Sequence, residues 1–112
     1  MIATNRSRRQ ILKTRTRAQR AAAKIRREGV ATLATHCLAA GLPIREARTV
    51  AGSLRRNAYA AGINGIDSRT HAGRHMRYCQ RYTPAQVAVI ALRYKPRKPA
   101  YRTAAARLAL AA

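Results

Sequence analysis

The chain has 112 residues, of which 24 are Lys or Arg and 3 are Asp or Glu, giving a formal net charge of +21. That length allows one small domain with an appended arm, because domains commonly run to about 100–150 residues. With 25 Ala, no Phe or Trp and only 21 Val, Ile, Leu or Met, an extended β-sandwich is disfavoured and a thin, helical core is expected.

So many excess positive charges on a small chain repel one another unless a polyanion supplies counter-charge. The cations are 20 Arg against 4 Lys, and Arg is the side chain that pairs bidentately with phosphate and stacks on flat rings. Nucleic acid fits this better than an anionic membrane. No apolar run approaches the roughly 18–20 residues of a bilayer span, and the N-terminus lacks the apolar stretch of about 7–15 residues of a secretion signal. The expected location is the cytoplasm, nucleoid-associated in a bacterium, although the Arg-rich, acid-poor start also resembles an organelle transit peptide in composition. Cys37 and Cys79 make no disulfide framework and suit a reducing compartment. The acids Glu28, Glu46 and Asp67 are far apart in sequence, whereas most hydrolases and metal-dependent transferases need paired acids or an acid that orients a base. With His36, His71 and His75 as the only candidate bases, the chain is expected not to be an enzyme.

Residues 5–28 contain no Gly or Pro and are rich in Arg, Ala, Gln and Lys, which predicts a helix stopped by Gly29. At about 100° per residue, Arg6, Arg9, Lys13, Arg17, Arg20, Lys24 and Arg27 fall within an arc of about 80°. Ile11, Ala18, Ala22 and Ile25 line the other side. The result is a straight cationic ridge about 30 Å long. A solvated helix face normally interleaves both signs, yet no acid precedes Glu28, so the ridge is read as a phosphate-contacting surface.

Residues 30–41 place Val30, Leu33, Ala34 and Cys37 at helical spacing, and Gly41 closes the segment. Pro43 then stands at a first helical position, followed by an apolar stripe of Ile44, Ala47, Ala51, Leu54 and Ala58 that runs to Gly62. The outward ridge of this second helix reads Arg45, Arg48, Gly52, Arg55 and Tyr59, with Thr49, Ser53 and Arg56 beside it. Cys37 lies four positions before the turn glycine, Ala40 and Leu42 flank it, and Ala47 and Val50 follow six and nine positions after it. In these positions segment 30–61 resembles the general helix-turn-helix pattern, which implies that Arg45, Arg48, Arg55 and Arg56 are carried into the major groove. An ordinary αα-hairpin with a solvated Arg face fits the same letters.

Residues 62–82 break the helical pattern, and Asn64-Gly65 is a turn signal. From Arg74 the residues alternate, with Met76, Tyr78 and Tyr82 on one side and His75, Arg77 and Arg81 on the other. This predicts a short strand, the second arm of a hairpin turning at Ala72-Gly73. Such a hairpin would be a wing gripping phosphate through Arg74, Arg77 and Arg81; an irregular loop that orders on RNA is the alternative. Thr83-Pro84-Ala85-Gln86 is a capping box that starts a helix with Val87, Ile90, Ala91 and Tyr94 facing inward. Lys95, Arg97 and Lys98, spaced by prolines, form an extended basic linker. Ala100–Ala112 close the chain as a helix with Tyr101, Ala105, Leu108 and Ala112 on one side.

His71, His75 and Cys79 are metal-ligand types, but the first and third would be about 12 Å apart on a helix and more than double that on a strand. Zinc holds all its ligands near 2.0–2.3 Å, so no metal or other cofactor is expected. Cys37 reads as a small core residue. At least three of the five tyrosines are expected to be structural, because no other large ring is available to the core.

Together these readings predict a mainly α-helical fold, divided into a basic helical arm over residues 1–29 and a compact domain over residues 30–112. Its expected function is non-catalytic nucleic-acid binding, with double-stranded DNA favoured over RNA; the organisation also admits a homodimer. The alternatives are an RNA-binding structural protein of ribosomal type and an accessory protein of a mobile element, localised by its charge to a partner or membrane surface.

Overall fold

The computed structural model describes residues 2–111. These described residues form five helices and one β hairpin: α1 (Ile2–Glu28), α2 (Leu33–Ala39), α3 (Ile44–Ala61), β1 (Ile66–Ala72), β2 (His75–Arg81), α4 (Pro84–Arg93) and α5 (Pro99–Leu110). The mainly α fold with a small hairpin is therefore the one the sequence predicts. Ala112, assigned above to the inner side of the last helix, lies outside the described residues.

The first helix starts three residues earlier than predicted, since Ile2, Ala3 and Thr4 contain nothing that breaks a helix. It ends as expected, with the Gly29 N–H donating to the Ile25 carbonyl at 2.8 Å. The prediction of a helix beginning at residue 30 is corrected: α2 starts at Leu33 and has seven residues. Thr32 is its cap, accepting a hydrogen bond from the Thr35 N–H at 3.3 Å. Ala31 is extended and exchanges both of its backbone hydrogen bonds with Tyr82, at 3.0 and 2.8 Å. Local spacing favoured helix here, and a partner 51 positions away claimed the backbone instead.

After α2 the chain turns at Gly41, whose φ of +98° is open to glycine at little cost. A Cβ at this position would also lie 2.8 Å from Nη1 of Arg107. Pro43 is the N-cap of α3 rather than its first residue. The far end of α3 closes with the Ile63 N–H donating to the Ala58 carbonyl at 2.9 Å and the Gly62 N–H to Tyr59, the pattern of a Schellman motif.

Between α3 and α4 the chain forms the hairpin, with both arms present and an antiparallel register that runs from Ile66 opposite Arg81 to Ala72 opposite His75. The turn residues are Gly73 and Arg74, one position later than predicted. Gly73 supplies the positive φ, +68°, that a two-residue hairpin needs at its first central position. The capping box of α4 is present in full: Thr83 Oγ1 accepts from the Gln86 N–H at 3.2 Å and Gln86 Oε1 accepts from the Thr83 N–H at 2.9 Å.

The short α2 is the centre of the fold and packs against α1, α3, α4 and α5. Around it Leu33, Cys37, Val50, Leu54, Tyr82, Val87, Ile90 and Leu108 are buried, interleaved with buried Ala. Alanine-rich faces let the helices approach closely, so a core with few large side chains can still exclude water. Tyr82 is buried, and Tyr94 and Tyr101 pack against the edge of the same cluster, which accounts for the three structural tyrosines expected. Only the C-terminal half of α1 is embedded: Ala21 is buried and Ala18, Ala22 and Ile25 half-buried, whereas Ile11 is 53% exposed.

Candidate nucleic-acid interface

The buried stripe of α3 consists of Ala47, Val50, Ala51, Leu54 and Ala58. Fixing that stripe in the core turns the opposite side outward, so Arg45, Arg48, Thr49, Arg55, Arg56 and Tyr59 are all exposed. Ile44, predicted to belong to the stripe, is instead at its margin with 36% exposure.

Three ties hold the hairpin beside this helix. The Ala31–Tyr82 backbone pair anchors its root, and His36 donates from Nε2 to the Tyr82 carbonyl at 2.8 Å. Arg81 adds an ion pair, its Nη1 at 3.0 Å from Glu28 at the end of α1. His36 is buried, and that burial lowers its pKa below the usual histidine value, outweighing the backbone hydrogen bonds that act in the opposite direction. It is therefore a neutral structural donor at this joint.

The space between the two elements is a groove of ≈ 710 Å³. Arg48 and Arg55 of α3 stand on one wall, Thr70, His71 and Arg77 of the hairpin on the other, and Leu33, Ala34 and Leu38 of α2 contribute to its floor. Among the described residues no acid lines it. Among the described residues the Glu28–Arg81 contact is the only ion pair, so the cations around the groove are uncompensated. Asp67, the acid of the hairpin, accepts hydrogen bonds from the Tyr78 hydroxyl and, at 3.5 Å, from Gln80. The Asp67 hydrogen bond holds the Tyr78 hydroxyl above its ordinary pKa.

The other cations predicted to touch nucleic acid are not among the residues that line this groove. Arg6, Arg9, Lys13, Arg17, Arg20 and Arg27 are exposed along α1, with Lys24 half-buried among them. Arg74 is at the hairpin tip and exposed. Arg81 is half-buried and engaged with Glu28. Lys95, Arg97 and Lys98 are exposed in the α4–α5 connection, where Lys98 Nζ lies 5.2 Å from the centroid of the Tyr101 ring. The structure thus brings Arg48, Arg55 and Arg77 together and leaves the α1 ridge and the 95–98 connection as separate basic surfaces.

Sequence reasoning misses Thr70 on the groove wall, because residues 67–71 are polar on both faces and carry no contrast that singles it out. It also misses Arg107, whose Nη1 donates to the Ala40 carbonyl at 2.9 Å and braces the Gly41 turn from α5. An Arg that bonds a carbonyl leaves no partner charge in the sequence to reveal it. Cys37 is fully buried, and burial pushes its thiol up to about 12. In the hairpin register His71 is opposite Met76 and Cys79 is opposite Ser68, which puts His71 on one face and His75 and Cys79 on the other. Among the described residues no helix is long and apolar enough to cross a membrane.

Comparison with protein-family models, with curated proteins and with solved structures gives no match for this chain. Its functional reading accordingly rests on its own residues.

Proposed function

We propose that the protein is a non-catalytic nucleic-acid-binding protein that grips double-stranded DNA. In this reading α2 and α3 act as a helix-turn-helix, α3 enters the major groove, and the hairpin serves as a wing along the adjacent backbone. The observation that carries it is the acid-free groove between α3 and the hairpin, where Arg48 and Arg55 face Arg77. The α1 ridge adds phosphate contacts, which raise affinity for any sequence without reading it. Electrostatic capture comes first and groove insertion second.

A second reading, RNA binding by a structural protein of ribosomal type, is favoured by one observation. Tyr59 is 90% and Tyr78 67% exposed, each close to Arg side chains, as in surfaces on which unpaired bases stack. The discriminating experiment is fluorescence anisotropy with duplex DNA, single-stranded DNA and a structured RNA of equal length at one salt concentration. Tightest binding to the duplex, weakened in an Arg48→Ala, Arg55→Ala, Arg77→Ala triple variant, supports the first reading. Tighter binding to RNA overturns it in favour of the second.

A further inference from the structure

Five of the six glycines have a reason within the protein. Gly29, Gly41, Gly62 and Gly73 adopt positive φ, and a Cβ on Gly65 would strike the Arg81 carbonyl at 2.8 Å. Gly52 has no such reason. It lies in the middle of α3 without a positive φ, and a Cβ there would meet nothing within 4 Å. Glycine is nonetheless among the least favourable residues for a helix interior, and Ala in the same open space would strengthen the helix.

Its surroundings show what the missing side chain leaves open. The nearest neighbours on a helix surface stand three and four positions away; for Gly52 they are Arg48, Thr49, Arg55 and Arg56, all exposed. Arg45 and Tyr59, seven positions to either side, continue the same exposed line. Gly52 is therefore a half-buried gap in the side-chain cover of the helix, open above its Cβ position and flanked at helical spacing by Arg48, Arg55 and Arg56. No acid flanks it: Glu46, the one acid of α3, is in the first turn. The charge flanking this gap is positive only, which favours an anionic partner.

We infer that Gly52 is the point at which α3 approaches its nucleic-acid partner most closely. Without a Cβ, the helix backbone can settle against the edges of the base pairs while Arg48, Arg55 and Arg56 extend past it to bases and phosphates. This inference rests on the reading of the chain as a duplex-binding protein, and makes the middle of α3, not its first turn, the deepest part of the interface.

The test uses the full chain carrying Gly52→Ala or Gly52→Leu, with Arg48→Ala as the control, against a duplex selected by the wild-type protein. Thermal melting should give a higher Tm for both glycine variants. Affinity should fall in order of side-chain size, by at least about tenfold for Gly52→Leu, the scale of one lost base contact. The salt dependence should keep its slope, because no phosphate-binding cation has been removed. A lower Tm for Gly52→Ala would show that the glycine serves the fold and would overturn the inference. Wild-type affinity in Gly52→Leu together with weakened binding in Arg48→Ala would overturn it while leaving the duplex-binding reading in place. Wild-type affinity in all three variants, or no duplex binding by the wild type, would overturn both.

Discussion

Replacing Arg48 by Ala, compared with the same replacement at Arg17, separates a reading contact from a charge contact. Arg48 is exposed on the wall of the groove between α3 and the hairpin, and Arg17 is exposed on the α1 ridge. Neither belongs to the buried core, so both variants should fold with stability within about 0.5 kcal/mol of the wild type. On a preferred duplex the loss of a base contact costs about 1–3 kcal/mol, a factor of about 5 to 150 in Kd, and on random duplex much less. Loss of one phosphate contact at Arg17 should weaken both duplexes alike and reduce the slope of log K against log salt by about 0.9. Over a fourfold rise in salt that difference in slope amounts to about 3.5-fold in relative affinity, which anisotropy titrations at four or five salt concentrations resolve. If the two variants behave identically on every duplex, α3 is one more cationic surface and the helix-turn-helix reading fails.

Further predictions concern the ties that hold the interface in place. His36 has a folded-state pKa below its unfolded value of 6.5, so its contribution to stability is complete above that pH and is lost as pH falls from 6.5 through the folded pKa. The limiting slope is about 1.4 kcal/mol per pH unit for one proton, and chemical denaturation from pH 8 to pH 5 should show it in the wild type but not in His36→Gln. Gly41→Ala should destabilise by more than about 1 kcal/mol through φ strain and crowding of Arg107; a double-mutant cycle with Arg107→Ala should be non-additive because the two residues share one contact. The half-exposed Cys79 should react with a thiol reagent in the native protein, whereas Cys37, buried and with its thiol pushed up to about 12, should react only on unfolding; two equally fast thiols would contradict the packing of α2. Thr83→Ala should cost about 1 kcal/mol in thermal unfolding, the usual value of a helix cap.

The sequence was most legible where one local rule decided the outcome. Thr83, Pro84 and Gln86 specify the start of α4 within four residues, and the α3 ridge follows from a stripe at helical spacing. The hairpin was half hidden because Asp67, Ser68, Arg69, Thr70 and His71 are polar on both faces, so the period of two carries no contrast between buried and exposed residues. The single bridge between Ala31 and Tyr82 could not be read at all, since it depends on tertiary placement and not on either neighbourhood. The same limit applied to the groove. Arg48, Arg55 and Arg77 were each identified on their own elements, but their meeting depends on how the hairpin root is fastened. Arg81 resembles its neighbours in the sequence; only the proximity of Glu28 distinguishes it.

The pairing of Ala31 with Tyr82 has a topological consequence. It makes residues 31–82 a closed loop whose entry and exit are one bonded residue pair, with Cα atoms about 5.5 Å apart as in any such antiparallel pair. Closing a loop of 52 residues costs roughly 3.5 kcal/mol of chain entropy, which the hydrogen bond from His36 and the ion pair from Arg81 to Glu28 help to offset at the same joint. Inside the loop are α2, α3 and the hairpin; outside it, α1 ends and α4 begins within three residues of the joint. Adjacent ends are the condition under which a segment can be excised, transplanted or circularly permuted without rerouting the chain. The 31–82 block thus has adjoining ends, while α1, α4 and α5 stay joined to it through the packing around α2 as well as through the chain at the joint.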